Sequence, residues 1–98
     1  MTSLIIQHRV ADVDAWKKTF DSDPLGRAKS GVVGHAIYRP ADDPNFVVMT
    51  LEFASRAEAD AFLARLRVLW GQVGAKLGFG GPEGVQARIL DEIEKVEY

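Results

Sequence analysis

Apolar and polar residues alternate near the start of the chain, and then the spacing lengthens to that of a helix. Over residues 3–10 the alternation puts Leu4, Ile6, His8 and Val10 on one side and Ile5, Gln7 and Arg9 on the other, the pattern of a strand with one more apolar face. Asp12 follows as a helix cap, Asp14 adds negative charge to the first turn, and Val13, Trp16 and Phe20 recur at helical spacing with Lys17 and Lys18 opposite. Asp23-Pro24 reads as a cap and a first-position proline, so 24–30 should form a further turn or two that Gly31 ends. Residues 32–39 and 46–53 are rich in strand formers, and the segment 40–45 between them carries two prolines and turn-forming residues. That is an antiparallel hairpin.

The next element has the most specific start. Ser55-Arg56-Ala57-Glu58 matches a capping box. Ala59, Phe62, Leu63, Leu66, Leu69, Trp70, Val73 and Leu77 then recur every three or four residues, the clearest helical periodicity in the chain; Gly71 and Gly74 weaken its last turns. Residues 78–84 read as a loop by composition and match neither phosphate-binding glycine motif. The tail 85–98 is ambiguous, since Val85, Ala87 and Ile89 alternate whereas Ile89, Leu90, Ile93 and Val96 have helical spacing; we read it as a strand.

Strand, helix, strand, strand, helix, strand is the order of the split β-α-β topology. The expectation is one α+β domain over 1–98, ferredoxin-like, with both helices on one face of a four-stranded antiparallel sheet. On the third strand Val47, Met49, Leu51 and Phe53 should face the helices, leaving Phe46, Val48, Thr50 and Glu52 on an open, half-apolar face. A chain of 98 residues buries only roughly 60 to 70% of its unfolded surface, so a partner over that face adds stability. A second copy in a two-fold homodimer is the simplest one.

Charge and composition narrow the chemistry. Twelve basic and fourteen acidic residues are interspersed for a net charge of −2, which supplies no basic stripe for a phosphate backbone, so no nucleic-acid partner is expected. With no cysteine, disulfides, thiolate nucleophiles and Cys-ligated metals are excluded. The first residues lack a basic stretch and soon turn polar, no apolar run is long enough to cross a bilayer, and a cytoplasmic location without membrane association is the simplest expectation.

The run His8-Arg9-Val10-Ala11-Asp12 leading into Trp16-Lys17-Lys18-Thr19-Phe20-Asp21, then 38–45 and 58–63, resembles the dimeric α+β barrel superfamily. More narrowly it is similar to small proteins grouped with antibiotic biosynthesis monooxygenases and cyclases. The resemblance spans nearly the whole chain and implies the fold more specifically than the chemistry, because the superfamily includes cofactor-free oxygenases, haem-degrading enzymes and isomerases. In monooxygenase-like members the ligand cavity lies between sheet and helices. The haem-degrading branch has an asparagine on the first strand and a histidine beyond the helix tryptophan; here the strand carries Gln7 and His8, and no histidine follows Trp70. No cofactor is expected.

Among individual residues His8 is the most informative. It shares a face with Leu4, Ile6 and Val10 and so should point to where Trp16, Phe53, Phe62 and Trp70 gather. It is either a general base or hydrogen-bond donor toward a ligand, or a core histidine bonded to backbone. His35 lies two strand spacings away, about 10 Å, too far for one ion to bridge the pair, and no metal site is expected. Glu52 is either an ion-pair partner of Arg9, Arg39 or Arg88 or a catalytic carboxylate. Tyr38 is either a hydrogen-bond donor to a ligand or a strand-end residue with its hydroxyl in water. Trp16, Phe20, Phe62, Trp70 and Phe79 are either core or stacking partners for a planar molecule.

The combined expectation is a homodimer acting on a small, apolar aromatic or polyketide-like molecule by cofactor-independent oxygenation or proton transfer. In it His8 and Tyr38 are catalytic candidates, and Trp16, Phe20, Phe53, Phe62, Leu66 and Trp70 line the pocket. The alternative is a non-catalytic homodimer that binds a small ligand or serves as a structural partner.

Overall fold

The first strand, β1 (Thr2–Arg9), buries Leu4, Ile6 and His8 on one side, as the alternation predicts, and Val10 extends the ladder by donating its N–H to the Asn45 carbonyl at 2.9 Å. The computed structural model describes residues 1–77 and 84–98, side chains of 73–77 excepted. The loop expected over 78–84 and the places of Val73, Leu77 and Phe79 therefore lie outside the described residues, apart from Gly84 and the backbone of the helix.

Helix α1 (Val13–Asp21) begins where Asp12 Oδ1 accepts the Asp14 N–H at 3.1 Å, satisfying one of the donors that a helix start leaves open. Its apolar side brings Trp16 into the core. The chain then turns through Asp23, a non-glycine residue with φ of +53°, and a 3₁₀ turn (Ala28–Ser30) that Gly31 closes at φ of +96°. Asp23 caps no helix from Pro24 onward, since the turn starts only at Ala28 with Arg27 as its N-cap; its Oδ1 instead accepts the Arg27 N–H at 2.9 Å across the preceding bend.

Strands β2 (Val32–Tyr38) and β3 (Phe46–Phe53) form the hairpin, with a bulge between Val32 and Gly34. Helix α2 (Arg56–Leu77) starts at the predicted box, in a modified form. The Glu58 N–H donates to Ser55 Oγ at 3.3 Å, but the Glu58 carboxylate accepts from the Ser55 hydroxyl at 2.9 Å instead of reaching the Ser55 backbone. Arg65, about two turns further along α2, donates to Ser30 Oγ and so ties the helix to the 3₁₀ turn.

The last strand is β4 (Gln86–Asp91), shorter than the expected 85–98. Its partner is β1, with Asp91 paired to Thr2, and one further bond runs from the Glu92 N–H to the Met1 carbonyl at 3.1 Å. Ile93, Val96 and Tyr98 beyond it are exposed.

All pairings are antiparallel and the strand order is β2-β3-β1-β4, the ferredoxin-like arrangement. Leu4, Ile6, Val47, Met49, Leu51 and Phe53 form the sheet's side of the core, and Trp16, Ala59, Phe62 and Leu63 come down on it from α1 and α2. Both helices thus cover one face. On the other, Ile5, Phe46 and Val48 are half-buried while Tyr38 and Leu90 are exposed. Glu52 on this face takes a hydrogen bond from Ser3 Oγ at 2.6 Å and not an ion pair with Arg9, which instead meets Asp43 at 2.9 Å. The adjacent strand simply puts a short hydroxyl directly opposite the carboxylate, since Ser3 is paired with Glu52 in the register. Among the described residues no helix is long and apolar enough to cross a membrane.

Candidate functional site

Between the sheet and the two helices lies a cavity of about 320 Å³, toward the small end of the roughly 300–1,000 Å³ typical of ligand sites. Ile6, His8, Met49 and Leu51 form its floor. Trp16, Thr19 and Phe20 of α1 form one wall, and Phe62, Leu66, Leu69 and Trp70 of α2 the other. The segment after α1 closes the remaining side with Ser22, Asp23, Pro24, Leu25 and Arg27.

His8 is set into the floor by strand parity. The ring is only 1% exposed, and its Nδ1–H donates to the neighbouring Arg9 carbonyl at 2.9 Å. A carbonyl can only accept, so this bond fixes the tautomer and leaves the basic lone pair on Nε2. Burial pushes the His8 pKa below its ordinary 6.5, because the apolar surroundings disfavour the charged ring; the bond to Arg9 opposes this more weakly. His8 is neutral at physiological pH.

The wall beside it is a succession of rings. Trp16 meets His8 edge to face with centroids 6.0 Å apart, and stacks on Phe20 at 5.3 Å with an interplanar angle of 29°. His35, exposed on β2, touches the far side of Phe20 at 5.2 Å. Spacing of three and four along α1 is what lines Trp16 and Phe20 up on one stripe.

Of the residues singled out in the sequence, His8, Trp16, Phe20, Phe62, Leu66 and Trp70 come together around this cavity. Phe53 does not reach it: the ring is fully buried in the core, 5.7 Å from Phe62, and supports that wall from the Ala59 side. Tyr38 is on the wrong side of the sheet. It pairs with Val48, and directly opposed residues share a face, so within one chain its hydroxyl cannot meet a ligand held over His8. No group of three or more His, Cys, Asp or Glu gathers as a metal site among the described residues.

Sequence patterning did not single out Arg27 and Asp23 as site residues. Arg27 is folded back onto α1, with its guanidinium carbon 3.8 Å from the centre of the Phe20 ring and Nη1 donating to the Phe20 carbonyl at 2.8 Å. The available signal was the Asp23-Pro24 bend, which places the residue four positions after Asp23 back over the end of α1.

This geometry defines a class: a small ferredoxin-like α+β protein with a largely apolar cavity between sheet and helices. Known structures share the fold. A protein of unknown function from Nitrosomonas europaea superposes with a TM-score of 0.71 at 17% identity, covering 99% of this chain and 93% of its own. A dimeric ferredoxin-like protein from an uncultured marine organism gives 0.63 at 19%, covering 97% and 96%. A presumed antibiotic biosynthesis monooxygenase, also from Nitrosomonas europaea, gives 0.61 at 20%, covering 96% and 100%. At this level of identity the likeness establishes the fold alone. No family model matches the sequence, and no curated protein is close enough in sequence to count as a relative.

Proposed function

We propose that two copies of this chain pair through the open faces of their sheets, and that each copy uses its cavity to act on a small, largely apolar aromatic or polyketide-like molecule. The chemistry is proton transfer, or oxygenation by dioxygen taken from solution, without a bound cofactor. The observation that carries this reading is a buried, neutral histidine in the floor of a largely apolar cavity.

In this reading Nε2 of His8 takes the proton from a phenolic or enolic O–H, and the electron pair of that bond stays on the substrate oxygen. The imidazolium so formed is stabilised by the Arg9 carbonyl, which already accepts from Nδ1–H. Trp16, Phe20, Phe62, Leu66 and Trp70 hold the ring system and exclude water. In the oxygenase form the electron-rich anion gives one electron to dioxygen, and the radical and superoxide combine in a new C–O bond. The peroxide, protonated by the His8 imidazolium, loses its C–H proton and breaks its O–O bond to leave a carbonyl and release water. Pairing is supported by the half-apolar open face and by the fold's occurrence in proteins described as dimeric. The presumed monooxygenase among the similar structures supports the reaction class.

The test is oxygen uptake and product formation with a panel of hydroquinones, naphthols and anthrones, on the native protein and on His8→Ala and His8→Gln. Turnover should saturate with substrate and fall by about 10²–10⁴-fold in the variants, the usual contribution of general acid–base catalysis. Equal turnover in native protein and His8→Ala would remove His8 from the mechanism.

A second reading is a non-catalytic dimer that binds a small ligand or serves as a structural partner. Its support is that His8 is almost fully covered, which limits the access of a substrate proton to its ring. A ligand that raises the melting temperature and is recovered unchanged, with no turnover anywhere in the panel, is the outcome expected of a binder.

A further inference from the structure

The cavity has a second polar end. The guanidinium of Arg27 sits over Phe20, its central carbon 3.8 Å from the ring centre, and one nitrogen is tied down: Nη1 donates to the Phe20 carbonyl at 2.8 Å and stands 3.5 Å from Asp23 Oδ1. The side chain is only 18% exposed. It is therefore a held, partly dried cation and not a mobile surface charge, so little further rotamer entropy is lost when it binds something.

Its compensation is incomplete. The one carboxylate beside it, Asp23, is at the long end of ion-pair range and shares the same Oδ1 with the Arg27 backbone N–H at 2.9 Å. Among the described residues, Nη2 and Nε of Arg27 make no protein hydrogen bond. These donors belong to a residue that borders the cavity.

His8 and Arg27 stand at opposite ends of one aromatic wall. From His8 the succession runs to Trp16 at 6.0 Å, to Phe20 at 5.3 Å, and then to the guanidinium at 3.8 Å. A planar molecule lying along Trp16 and Phe20 would have its inner end at a neutral imidazole and its outer end at a cation.

We propose that Arg27 determines specificity: it selects an aromatic ligand that carries a carboxylate, anchoring that group at the outer end of the cavity while the ring system extends along Trp16 and Phe20 toward His8. A charge-assisted hydrogen bond from a guanidinium to a carboxylate is about twice as strong as a neutral one, and partial burial strengthens it further. The neutral ester of the same ring system keeps the stacking and loses the charge. The inference rests on the cavity being the ligand site, as proposed above.

The test compares benzoate, 1-naphthoate and 2-naphthoate, each against its methyl ester, by isothermal titration calorimetry at pH 7.5. The native protein should bind at least one acid tenfold or more tightly than its ester. Arg27→Gln should lose that preference with ester affinity unchanged, and Arg27→Lys, which keeps the charge without the planar fork, should retain part of it. Equal affinity for acid and ester in the native protein overturns the proposal without any variant, and so does a preference that survives in Arg27→Gln. Binding of esters without discrimination removes only the role of Arg27, whereas no binding of any acid or ester removes the cavity reading along with it.

Discussion

The imidazole of His8 and the indole of Trp16 meet edge to face, centroids 6.0 Å apart and planes inclined by 67°. The contact joins the middle of the sheet to the first helix. It also completes the apolar enclosure that lowers the His8 pKa, so burial, protonation and helix packing are linked at one residue.

That linkage makes stability depend on pH in a defined direction. The folded pKa of His8 lies below the unfolded value of 6.5, so between the two the unfolded chain binds more protons. The contribution of His8 is fully present above pH 6.5 and is lost as pH falls through the folded pKa, with a limiting slope of about 1.4 kcal/mol per pH unit. Urea unfolding at pH 7.5, 6.5 and 5.5 should show a steeper loss for the native protein than for His8→Gln. Identical pH profiles would mean that His8 titrates alike in both states.

Gly31 and Glu58 form a second close relationship. Gly31 sits at φ of +96°, and a Cβ there would run into the Glu58 carboxylate that completes the helix cap with Ser55. Gly31→Ala should cost about 1–3 kcal/mol, combining left-handed backbone strain with displacement of the capping side chain. The double variant Gly31→Ala/Glu58→Ala should lose less than the two single variants together, since both disturb the same contact. Denaturant midpoints at constant m-value measure this; strict additivity would show that the two sites are independent.

The proposed pairing of sheets is tested at Val48, half-buried at the centre of the open face next to Gln7 and Tyr38. Val48→Asp places a charge where a partner would remove it from water. Sedimentation velocity at micromolar concentration should give a dimer for the native chain and a monomer for the variant, with far-UV circular dichroism unchanged. A native chain that is already monomeric there would contradict the pairing.

Much of this architecture is legible in local pattern. Asp12 and Ser55 announce their helices because capping is a matter of a few consecutive residues, whereas Asp23 marks only the bend after α1. His8 could be assigned to the helix-facing side because β1 alternates without interruption. The length of β4 could not be read in this way, because it depends on the pairing with β1.

The candidate site was legible only where it follows strand parity or helix periodicity. Trp16, Phe20, Phe62, Leu66 and Trp70 fall on the apolar stripes that both helices turn to the sheet, and all border the cavity. Tyr38 and Phe53 illustrate the limit. The face of Tyr38 is set by its pairing with Val48 across a hairpin whose other end carries a bulge, and a shift of one residue in register would reverse it. Phe53 is on the predicted face but too far along β3, where Phe62 covers it.

The sequence by itself determined the element order, the buried faces of β1 and β3 and the starts of both helices, because these depend on interactions between neighbours along the chain. Only the tertiary structure decided that the segment after α1 folds back to close the cavity and lays the Arg27 guanidinium on Phe20. Such contacts join residues on either side of the bend that ends α1, and no period in the sequence records where that bend sends the chain.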